Sequence, residues 1–520
     1  MKKNIKNIGL TVLACFALGS CDEAKLTELN VNRNASTDID LSYLLAYGQT
    51  RVAGSRYESW RTNLIYSSTM VQHNATLQGY WSGDKYYYNA PYSGAYWERH
   101  FPDAIKNLTN VVDRTEGDPE RVNLNSFAKI MRAFDLHKIT DIYGDIPYAQ
   151  AGRGIDGEEN WFPAYQPQQE VYASIVAEVK SARDAMSASA DQLGDQDILY
   201  KGDVAKWKKF ANAFLMRVAM RMSNVDPATA QAVFTEAASN GTFQSNDDSA
   251  FFKQVLGNGG DINFNGTSLA MSNAAGGGGD NNARISKTLM DFMNATNDPR
   301  KMILTGGIGN PFESASTWNT NPADQIGLPN GYNTTTIKNI VPDFVTFQDY
   351  SFINPEIINL DDPSPFITYA ETELMKAEAA LKGWISTSAE NHFNNGVTAA
   401  IESWTKFGAS VAPNAAEIST FVSGLGFATA SSTDKLKLVG EQFWMATYLN
   451  HTETWANWRR TGYPVLVPTS DPNNDTNGTI PRRLRYSEGE IGSNPENYAA
   501  AIARQGEDRL TTSIWWDVKK

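Results

Sequence analysis

Regular spacing of apolar residues in the C-terminal third of the chain constrains the fold most strongly. In the segment FITYAETELMKAEAALKGW, apolar side chains recur at alternating steps of three and four residues from Ile367 to Trp384. This spacing places them on one narrow stripe of an α-helix. A second stripe runs from Phe393 to Trp404 after a short linker. Residues 366–406 are therefore predicted to form an antiparallel helical hairpin.

Other segments also carry helix signals. Residues 204–218 have an apolar stripe of the same kind. Asp226-Pro227 has the residue types of an N-cap and a first-turn proline, and Asn240-Gly241 has those of a helix end. Three long segments lack helical periodicity: 242–283, 303–365 and 464–494. The predicted fold is mainly all-α, an array of TPR-like helical hairpins with a loop-rich, irregular remainder.

The N-terminus has the features of a bacterial secretion signal. Three lysines precede the apolar run Ile8 to Leu18, which is too short to span a bilayer. Leu18-Gly19-Ser20-Cys21 resembles the lipobox, in which the signal is cut before the cysteine and the thiol carries lipid. An ordinary signal peptide with a chance cysteine is the alternative. We expect a signal peptide over 1–20, lipidation at Cys21, a polar tether over 21–40 and one folded unit over 41–520.

Composition excludes several kinds of partner and site. The chain has 45 Lys and Arg against 58 Asp and Glu, a net charge of -13, and it loses lysines with the signal. Such an acidic protein is not expected to bind nucleic acid or anionic lipid by charge. Because no later segment has the apolar length of a transmembrane helix, we expect membrane attachment through the lipid alone. Cys15 leaves with the signal, so neither a disulfide within the mature chain nor a thiolate zinc site is expected.

Signatures of enzymes and metal sites are sparse. Residues 266–270 (GTSLA) nearly match a nucleophile elbow, but no buried strand precedes them, and we predict a loop. The five histidines show no HExxH spacing. Residues 473–478 (NNDTNG) resemble half of an EF-hand loop, with Leu484 where the twelfth-position Glu would stand, which favours a surface turn over a weak calcium site. We predict no catalytic residue, no cofactor and no metal, although a hydrolytic pair of carboxylates stays an alternative.

Several motifs resemble those of one family. Thr140–Tyr148 (TDIYGDIPY) is similar to the DxYGDxPY segment of the SusD/RagB family, the surface glycan-binding lipoproteins of Bacteroidetes-type nutrient-uptake systems. The most specific match is Glu453–Pro464 (ETWANWRRTGYP). Further matches are Leu29–Asn34, Gly202-Asp203, Lys206–Asn212, Asp298–Arg300, Ala377–Ala379, Ile480–Leu484 and Trp515–Asp517. Together these segments extend over nearly the whole chain.

The resemblance implies both a fold and a role. The fold would contain four TPR-like helical pairs. The protein would be a non-enzymatic, lipid-anchored protein of the cell outer membrane, facing the exterior. It would capture an oligosaccharide or related nutrient and deliver it to a SusC-like TonB-dependent barrel. Asp22 and Glu23, directly after Cys21, resemble the signal that sends such lipoproteins to the cell surface.

The residue types in the most specific motif favour a structural role over ligand contact. Arg459 and Arg460 lie beside Trp455 and Trp458 in sequence. We expect the arginine stems to pack on these rings and the guanidinium groups to pair with carboxylates such as Glu453.

Residues 80–97 (YWSGDKYYYNAPYSGAYW) contain eight aromatic rings in eighteen positions. Gly, Ser and Pro place these rings on turns, where they are less easily buried than on a helix. Sugars present flat apolar C–H faces ringed by hydroxyl groups, so exposed rings beside amides and carboxylates suit them. Packing onto the scaffold is the alternative, and we expect it for Tyr96 and Trp97. The predicted ligand contacts are Trp81, Asp84, Tyr86, Tyr87, Tyr88, Asn89 and Tyr92, with Trp318 as an additional candidate.

Three functions of different classes follow from these observations. The leading one is a binding lipoprotein that delivers a nutrient to a transporter. The alternatives are a lipid-anchored glycan hydrolase and a helical-repeat scaffold for a protein partner. Saturable binding without product release distinguishes the first from the second, and ligand binding by the isolated chain distinguishes it from the third.

Overall fold

The computed structural model describes residues 39–256, 264–272 and 279–518. The chain divides into two units, Met1–Leu41 and Ser42–Lys520, and of the first only residues 39–41 are described. The predicted signal peptide, the lipidation site Cys21 and most of the tether lie outside the described residues. In the part of the chain that the structure describes, no helix is both long and apolar enough to cross a membrane.

Helices dominate the described chain, which confirms the predicted fold class. The α-helices are Leu41–Ala53, Arg56–Glu58, Ala90–Ser93, Ala95–Arg99, Lys106–Thr115, Val122–Tyr143, Gln168–Ala185, Val204–Met222, Pro227–Ser239, Gly266–Met271, Lys287–Thr296, Lys301–Leu304, Tyr369–Leu381, Ala389–Glu402, Ala415–Gly424, Ser432–Ala446, His451–Thr461, Gly489–Ser493 and Pro495–Gln505. Two π-helical segments, Ser59–Ser68 and His100–Ile105, interrupt the α-helical pattern near the N-terminal end.

Sequential helices pack as hairpins. Tyr369–Leu381 packs against Ala389–Glu402, which confirms the hairpin predicted over 366–406. Val204–Met222 packs in the same way against Pro227–Ser239. The helix Pro227–Ser239 begins as predicted, because the Asp226 side chain accepts a hydrogen bond from the backbone N–H of Thr229 at 3.1 Å.

Short strands join the irregular segments to one another. Three antiparallel pairs form: Asn74–Ala75 with Arg284–Ile285, Ala250–Phe252 with Ser364–Ile367, and Thr305–Ile308 with Ser351–Ile353. The first pair places Asn74 opposite Ile285, so residues just before 285 lie close to residues just after 75. One loop prediction was wrong, since Gly266–Met271 is a short helix. The Asn265 side chain accepts hydrogen bonds from the Thr267 and Ser268 amides and so caps it.

The helical core encloses a network of buried charges. Arg217 donates to Glu371 at 2.6 Å, and Arg221 donates to Asp141 at 3.0 Å. Glu453 pairs with both arginines of this network. Each of these charged side chains is buried and has an opposite charge beside it, which is the condition under which buried charges are tolerated.

The most specific motif of the sequence packs against this network. Arg459 stacks 3.8 Å above the Trp455 ring and donates to the Asp141 carbonyl, as the predicted structural role requires. The predicted carboxylate partner was wrong, because Glu453 is already held by Arg217 and Arg221. Arg460 instead forms two hydrogen bonds of 2.6 and 2.7 Å with Glu378.

Candidate functional site

The aromatic stretch 80–97 lies directly on the π-helical segment Ser59–Ser68. A Cβ added to Gly83 would lie 2.3 Å from the Ile65 carbonyl oxygen and 2.6 Å from that of Tyr66. Only glycine allows the two backbones to approach this closely. The contact brings side chains of the two segments together, as the approach of the Trp60 ring to those of Tyr80 and Tyr92 shows.

Three of the predicted contact residues are enclosed by the protein. Trp81, Asp84 and Tyr86 are 0, 2 and 1% exposed. The Asp84 carboxylate accepts from the Lys85 ammonium at 2.7 Å, and the Tyr86 hydroxyl accepts from the Thr469 amide at 3.3 Å. Their burial contradicts the expectation of exposed platforms, because no ring face of Trp81 or Tyr86 is open to solvent. Because the stretch fits closely onto the π-helical segment, these three side chains pack against the protein interior and do not face solvent.

The next residues of the stretch are half-buried and contact residues 471–475, at the start of the loop that resembles an EF-hand. The Tyr87 hydroxyl donates to Asp471 at 2.6 Å, and the Tyr88 amide donates to Asp475 at 2.6 Å. Asn89 caps the short helix Ala90–Ser93 by accepting from the Tyr92 amide. The carboxylates of Asp471 and Asp475 are therefore used in hydrogen bonds to the stretch, which fits the predicted surface turn. No cluster of three or more potential metal ligands occurs among the described residues.

Four partly exposed rings meet on one surface. Trp60 lies 6.2 Å from Tyr80 and 5.8 Å from Tyr92, measured between ring centroids. The Arg61 guanidinium lies 3.8 Å from the centroid of the Tyr57 ring and also faces Trp60 and Tyr92. We call Tyr57, Trp60, Tyr80 and Tyr92 the aromatic surface. Only Tyr92 was among the contacts predicted from the sequence.

Asp280 binds two rings of this surface, Trp60 and Tyr80, and the buried ring of Trp81. Its Oδ2 atom accepts hydrogen bonds from Trp60 Nε1 at 3.0 Å, from the Tyr80 hydroxyl at 2.9 Å and from Trp81 Nε1 at 2.8 Å. Its Oδ1 atom accepts from Asn282, whose Nδ2 atom also donates to the Tyr80 hydroxyl at 2.7 Å. Burial and the charge of Asp280 raise the pKa of Tyr80, so this hydroxyl stays a donor. The carboxylate therefore sets the position of three rings.

A cavity of about 190 Å³ adjoins Asp280. Phe312, Phe352 and Asn281 line its walls together with Asp280. Trp318 packs edge-on against Phe352 at 5.0 Å and donates to the Asn310 carbonyl at 2.8 Å. Asn310 in turn accepts from Asn281 at 3.1 Å. The loop that carries Trp318 is thus joined to the segment that carries Asp280.

A buried arginine supports the segment behind the cavity. Arg284 donates to the carbonyls of Asn281 and Ala283 and, at 3.2 Å, to that of Phe347. Among the described residues no carboxylate pairs with it, and burial lowers the pKa of Arg284 to about 9. Since the first strand pair places Arg284 opposite Ala75, this residue joins the segment after Asp280 to that strand pair.

Most of this site was missed by the sequence analysis. Tyr57, Trp60 and Arg61 lie before the aromatic stretch, within SRYESWR, and Asp280 follows a glycine run. The density of rings in residues 57–60 is a usable signal. The position of Asp280 in the sequence gives no such signal, because only the packing of distant segments shows which rings this carboxylate contacts.

Comparisons with known proteins agree with the resemblance drawn from the sequence motifs. The SusD-like family model, described as "Starch-binding associating with outer membrane", matches residues 33–487. A solved structure described as a chitin-binding protein is 31% identical with a TM-score of 0.80, and the match covers 92% of this chain and 100% of that chain. Another, described as "Bacteroidetes AC2a SusD-like", is 25% identical with a TM-score of 0.79, over 92% of this chain and 100% of that chain.

A more distant structure shows the same fold. It is a chitin-binding SusD homolog from Flavobacterium johnsoniae, 21% identical with a TM-score of 0.75, and the match covers 92% of this chain and 98% of that chain. Among curated proteins, none matches this sequence.

Proposed function

Because the chain belongs to the SusD-like family, we propose that it captures an oligosaccharide outside the cell for nutrient uptake. The family is one of binding proteins, and membership confirms the expectation that the chain is not an enzyme. The observation that carries the proposal is the aromatic surface, in which the Asp280 carboxylate fixes two partly exposed rings, Trp60 and Tyr80. Rings held in this way bind a flat ligand face with little loss of side-chain entropy.

The rings and the groups around them have separate roles in the proposed site. Trp60, Tyr80 and Tyr92 stack on sugar faces, and the Arg61 guanidinium offers donors to hydroxyl groups. Tyr87, Tyr88, Asn89 and Trp318, proposed from the sequence, are outer contacts at the edges of the site. The buried residues Trp81, Asp84 and Tyr86 do not contact the ligand. They fix the backbone of the stretch that carries Tyr80 and Tyr92.

The proposed ligand class is a chitin-type oligosaccharide of N-acetylglucosamine. The similarity to a chitin-binding protein at 31% identity supports this choice. The cavity beside Asp280 supports it as well, because Phe312 and Phe352 form an apolar wall that suits the methyl of an acetamido group. A starch-type oligosaccharide is the second ligand to test, since the family is described as starch-binding.

The proposed setting is the outer surface of the outer membrane. Residues 1–20 act as the signal peptide, Cys21 carries the lipid, residues 21–40 form the tether, and residues 41–520 form the binding unit. The family's association with the outer membrane supports this arrangement. The proposed partner is a SusC-like TonB-dependent barrel that receives the oligosaccharide.

Two measurements test the proposal. Isothermal titration of the mature chain without lipid should show saturable binding of chitohexaose or maltohexaose, without release of shorter sugars. Gentle extraction of the lipidated protein from its native membrane should recover a large TonB-dependent barrel in stable ratio. If neither sugar binds, the proposed oligosaccharide ligand is wrong. If the protein is recovered alone, the proposed barrel partner is wrong.

A further inference from the structure

A second exposed tryptophan borders a separate cavity. Trp161 is 58% exposed and lines a cavity of about 360 Å³. This cavity shares no lining residue with the cavity beside Asp280, and none of the four rings of the aromatic surface lines it. Its volume lies within the range of roughly 300–1,000 Å³ that is usual for small-molecule sites.

The Trp161 ring is held by its own loop. Its Nε1 atom donates to the Gly154 carbonyl at 2.9 Å, and its backbone amide donates to the Glu158 carbonyl at 3.1 Å. Gly157, with a φ of 151°, forms the turn before it. The ring is therefore fixed in orientation although most of its surface is open to solvent. A ring held in this way loses little conformational freedom when a ligand stacks on it.

The cavity floor is aromatic and rigid. Trp97 and Phe101 line it, with ring centroids 4.6 Å apart. Trp97 Nε1 donates to Glu490 at 3.2 Å, and the Tyr165 hydroxyl donates to the other oxygen of the same carboxylate. Both Glu490 oxygens are thus occupied, so this carboxylate stabilises the floor.

Unused amide groups surround the opening. Gln150 accepts from the Ala164 amide at 2.9 Å through its carbonyl oxygen. Within the described part of the chain, the Gln150 Nε2 atom and the whole Asn160 carboxamide have no hydrogen-bond partner, and both residues line the cavity. An exposed ring beside free amide donors and acceptors is the chemistry that recognises the apolar face and the hydroxyl groups of a pyranose.

We propose that this cavity is a second carbohydrate subsite, which takes one or two pyranose units of an oligosaccharide through Trp161, Asn160 and Gln150. The choice of a carbohydrate ligand rests on the proposed function, whereas the location of the subsite rests on the cavity and the Trp161 ring alone. A second subsite on the same chain would raise the apparent affinity for long or multivalent glycans. The alternative occupant of this exposed apolar surface is a protein partner, and the test below distinguishes the two.

The test follows individual tryptophans by ¹⁹F NMR of the mature protein labelled with 5-fluorotryptophan. The Trp161 and Trp60 resonances are assigned from their loss in the Trp161→Phe and Trp60→Phe variants, and chitohexaose and maltohexaose are the probes. The proposal predicts that the Trp161 resonance shifts saturably with one probe, and that it still does so in the Trp60→Ala variant. A Trp161 resonance that stays unchanged while the Trp60 resonance saturates overturns the second subsite and leaves the proposed function in place.

The remaining outcomes separate the two proposals. A shift at Trp161 without one at Trp60 supports the second subsite and contradicts the aromatic surface as the main site. If neither resonance shifts, both the aromatic surface and the second subsite are overturned as sites for these glycans. A protein partner is then the favoured occupant of the surface around Trp161.

Neighbouring side chains provide matched variants. Asn160→Ala should weaken the binding measured at Trp161 by about threefold to tenfold, the equivalent of one hydrogen bond. Phe162→Ala is the control, because Phe162 is 60% exposed in the same loop but does not line the cavity. An equal loss in both variants, or a loss in Phe162→Ala alone, contradicts the assigned contacts.

Discussion

Trp60 and Asp280, 220 residues apart in sequence, are joined by a hydrogen bond of 3.0 Å from the indole Nε1 atom to Oδ2. The same oxygen accepts from Tyr80 and Trp81, so one carboxylate connects the π-helical segment to the aromatic stretch. The geometry of the aromatic surface therefore depends on a residue that is not one of its rings.

Replacement of Asp280 by alanine should disturb the rings without unfolding the protein. Three aromatic donors would lose their common acceptor, and the Trp60 and Tyr80 rings would become free to turn. We expect chitohexaose affinity, measured by isothermal titration, to fall about tenfold or more, the equivalent of about 1.4 kcal/mol. Asp291→Ala is the control, because this carboxylate pairs with Lys287 on the exposed surface. Unchanged affinity in Asp280→Ala would show that ring orientation does not limit binding.

The close contact at Gly83 gives a second prediction. Gly83→Ala places a methyl group within 2.6 Å of two carbonyl oxygens of the π-helical segment. The two backbones must then separate, at a cost of about 1–3 kcal/mol in the free energy of unfolding. Glycan affinity should fall together with stability. Gly79→Ala, next to the same stretch, meets no atom within 4 Å and should be neutral in urea unfolding. Equal behaviour of the two variants would contradict the account of the packing.

A buried histidine pair predicts how stability depends on pH. His73 and His451 share a hydrogen bond of 2.9 Å between their Nδ1 atoms, and both side chains are fully buried. Burial, and the repulsion that a second proton on His451 would cause, hold the pKa of His73 well below its usual range, and burial lowers the pKa of His451 to about 3. Both rings are neutral in the folded state, whereas an unfolded histidine binds a proton near pH 6.5.

The sign of the effect follows from these lowered pKa values. The pair's contribution is fully present above about pH 6.5 and is lost as the pH falls from there toward the folded-state values, by up to about 1.4 kcal/mol per pH unit for each histidine. His73→Asn keeps a hydrogen-bonding side chain but removes one titrating group. Urea midpoints at pH 7, 6 and 5 should fall less steeply in this variant than in the wild type. If the urea midpoints of the two proteins fell equally with pH, the two histidines would not be neutral in the folded state.

The buried pair of Arg460 and Glu378 should be sensitive to loss of the carboxylate. Burial opposes ionisation of Glu378, but Arg460 outweighs this and lowers the pKa of Glu378 to about 2. Glu378→Ala leaves a buried guanidinium without its partner and should reduce the free energy of unfolding by about 3–5 kcal/mol. Lys382→Ala removes the more exposed partner of the same carboxylate, 3.6 Å away, and should cost less than about 1 kcal/mol. A similar cost for both variants in urea unfolding would contradict the central role of Arg460.

Sequence patterns predicted the helical part of the fold because its signals are local. The apolar stripe from Ile367 to Trp384 and the Asp226 cap depend on residues a few positions apart, and the structure confirms both elements. The loop prediction for residues 266–270 was wrong because a single capping residue, Asn265, stabilises a short helix without any apolar periodicity.

The candidate site was less predictable because burial depends on distant segments. Composition alone could not separate Trp81, which is fully buried, from Tyr80, which is 38% exposed. The difference arises from the close fit at Gly83 and from Asp280, which approaches from the other half of the chain. Arg460 shows the same limit, since its partner Glu378 lies 82 residues away in sequence.

Isothermal titration of chitohexaose into the wild-type chain and the Trp60→Ala variant shows whether the aromatic surface binds the oligosaccharide. Trp60 is only partly buried and its rings contact Tyr80 and Tyr92, so the variant should fold normally, which circular dichroism can verify. We expect saturable binding by the wild type and an affinity lower by about tenfold or more in the variant. Equal affinity in two folded proteins would show that the oligosaccharide binds elsewhere and that the aromatic surface is not the glycan site.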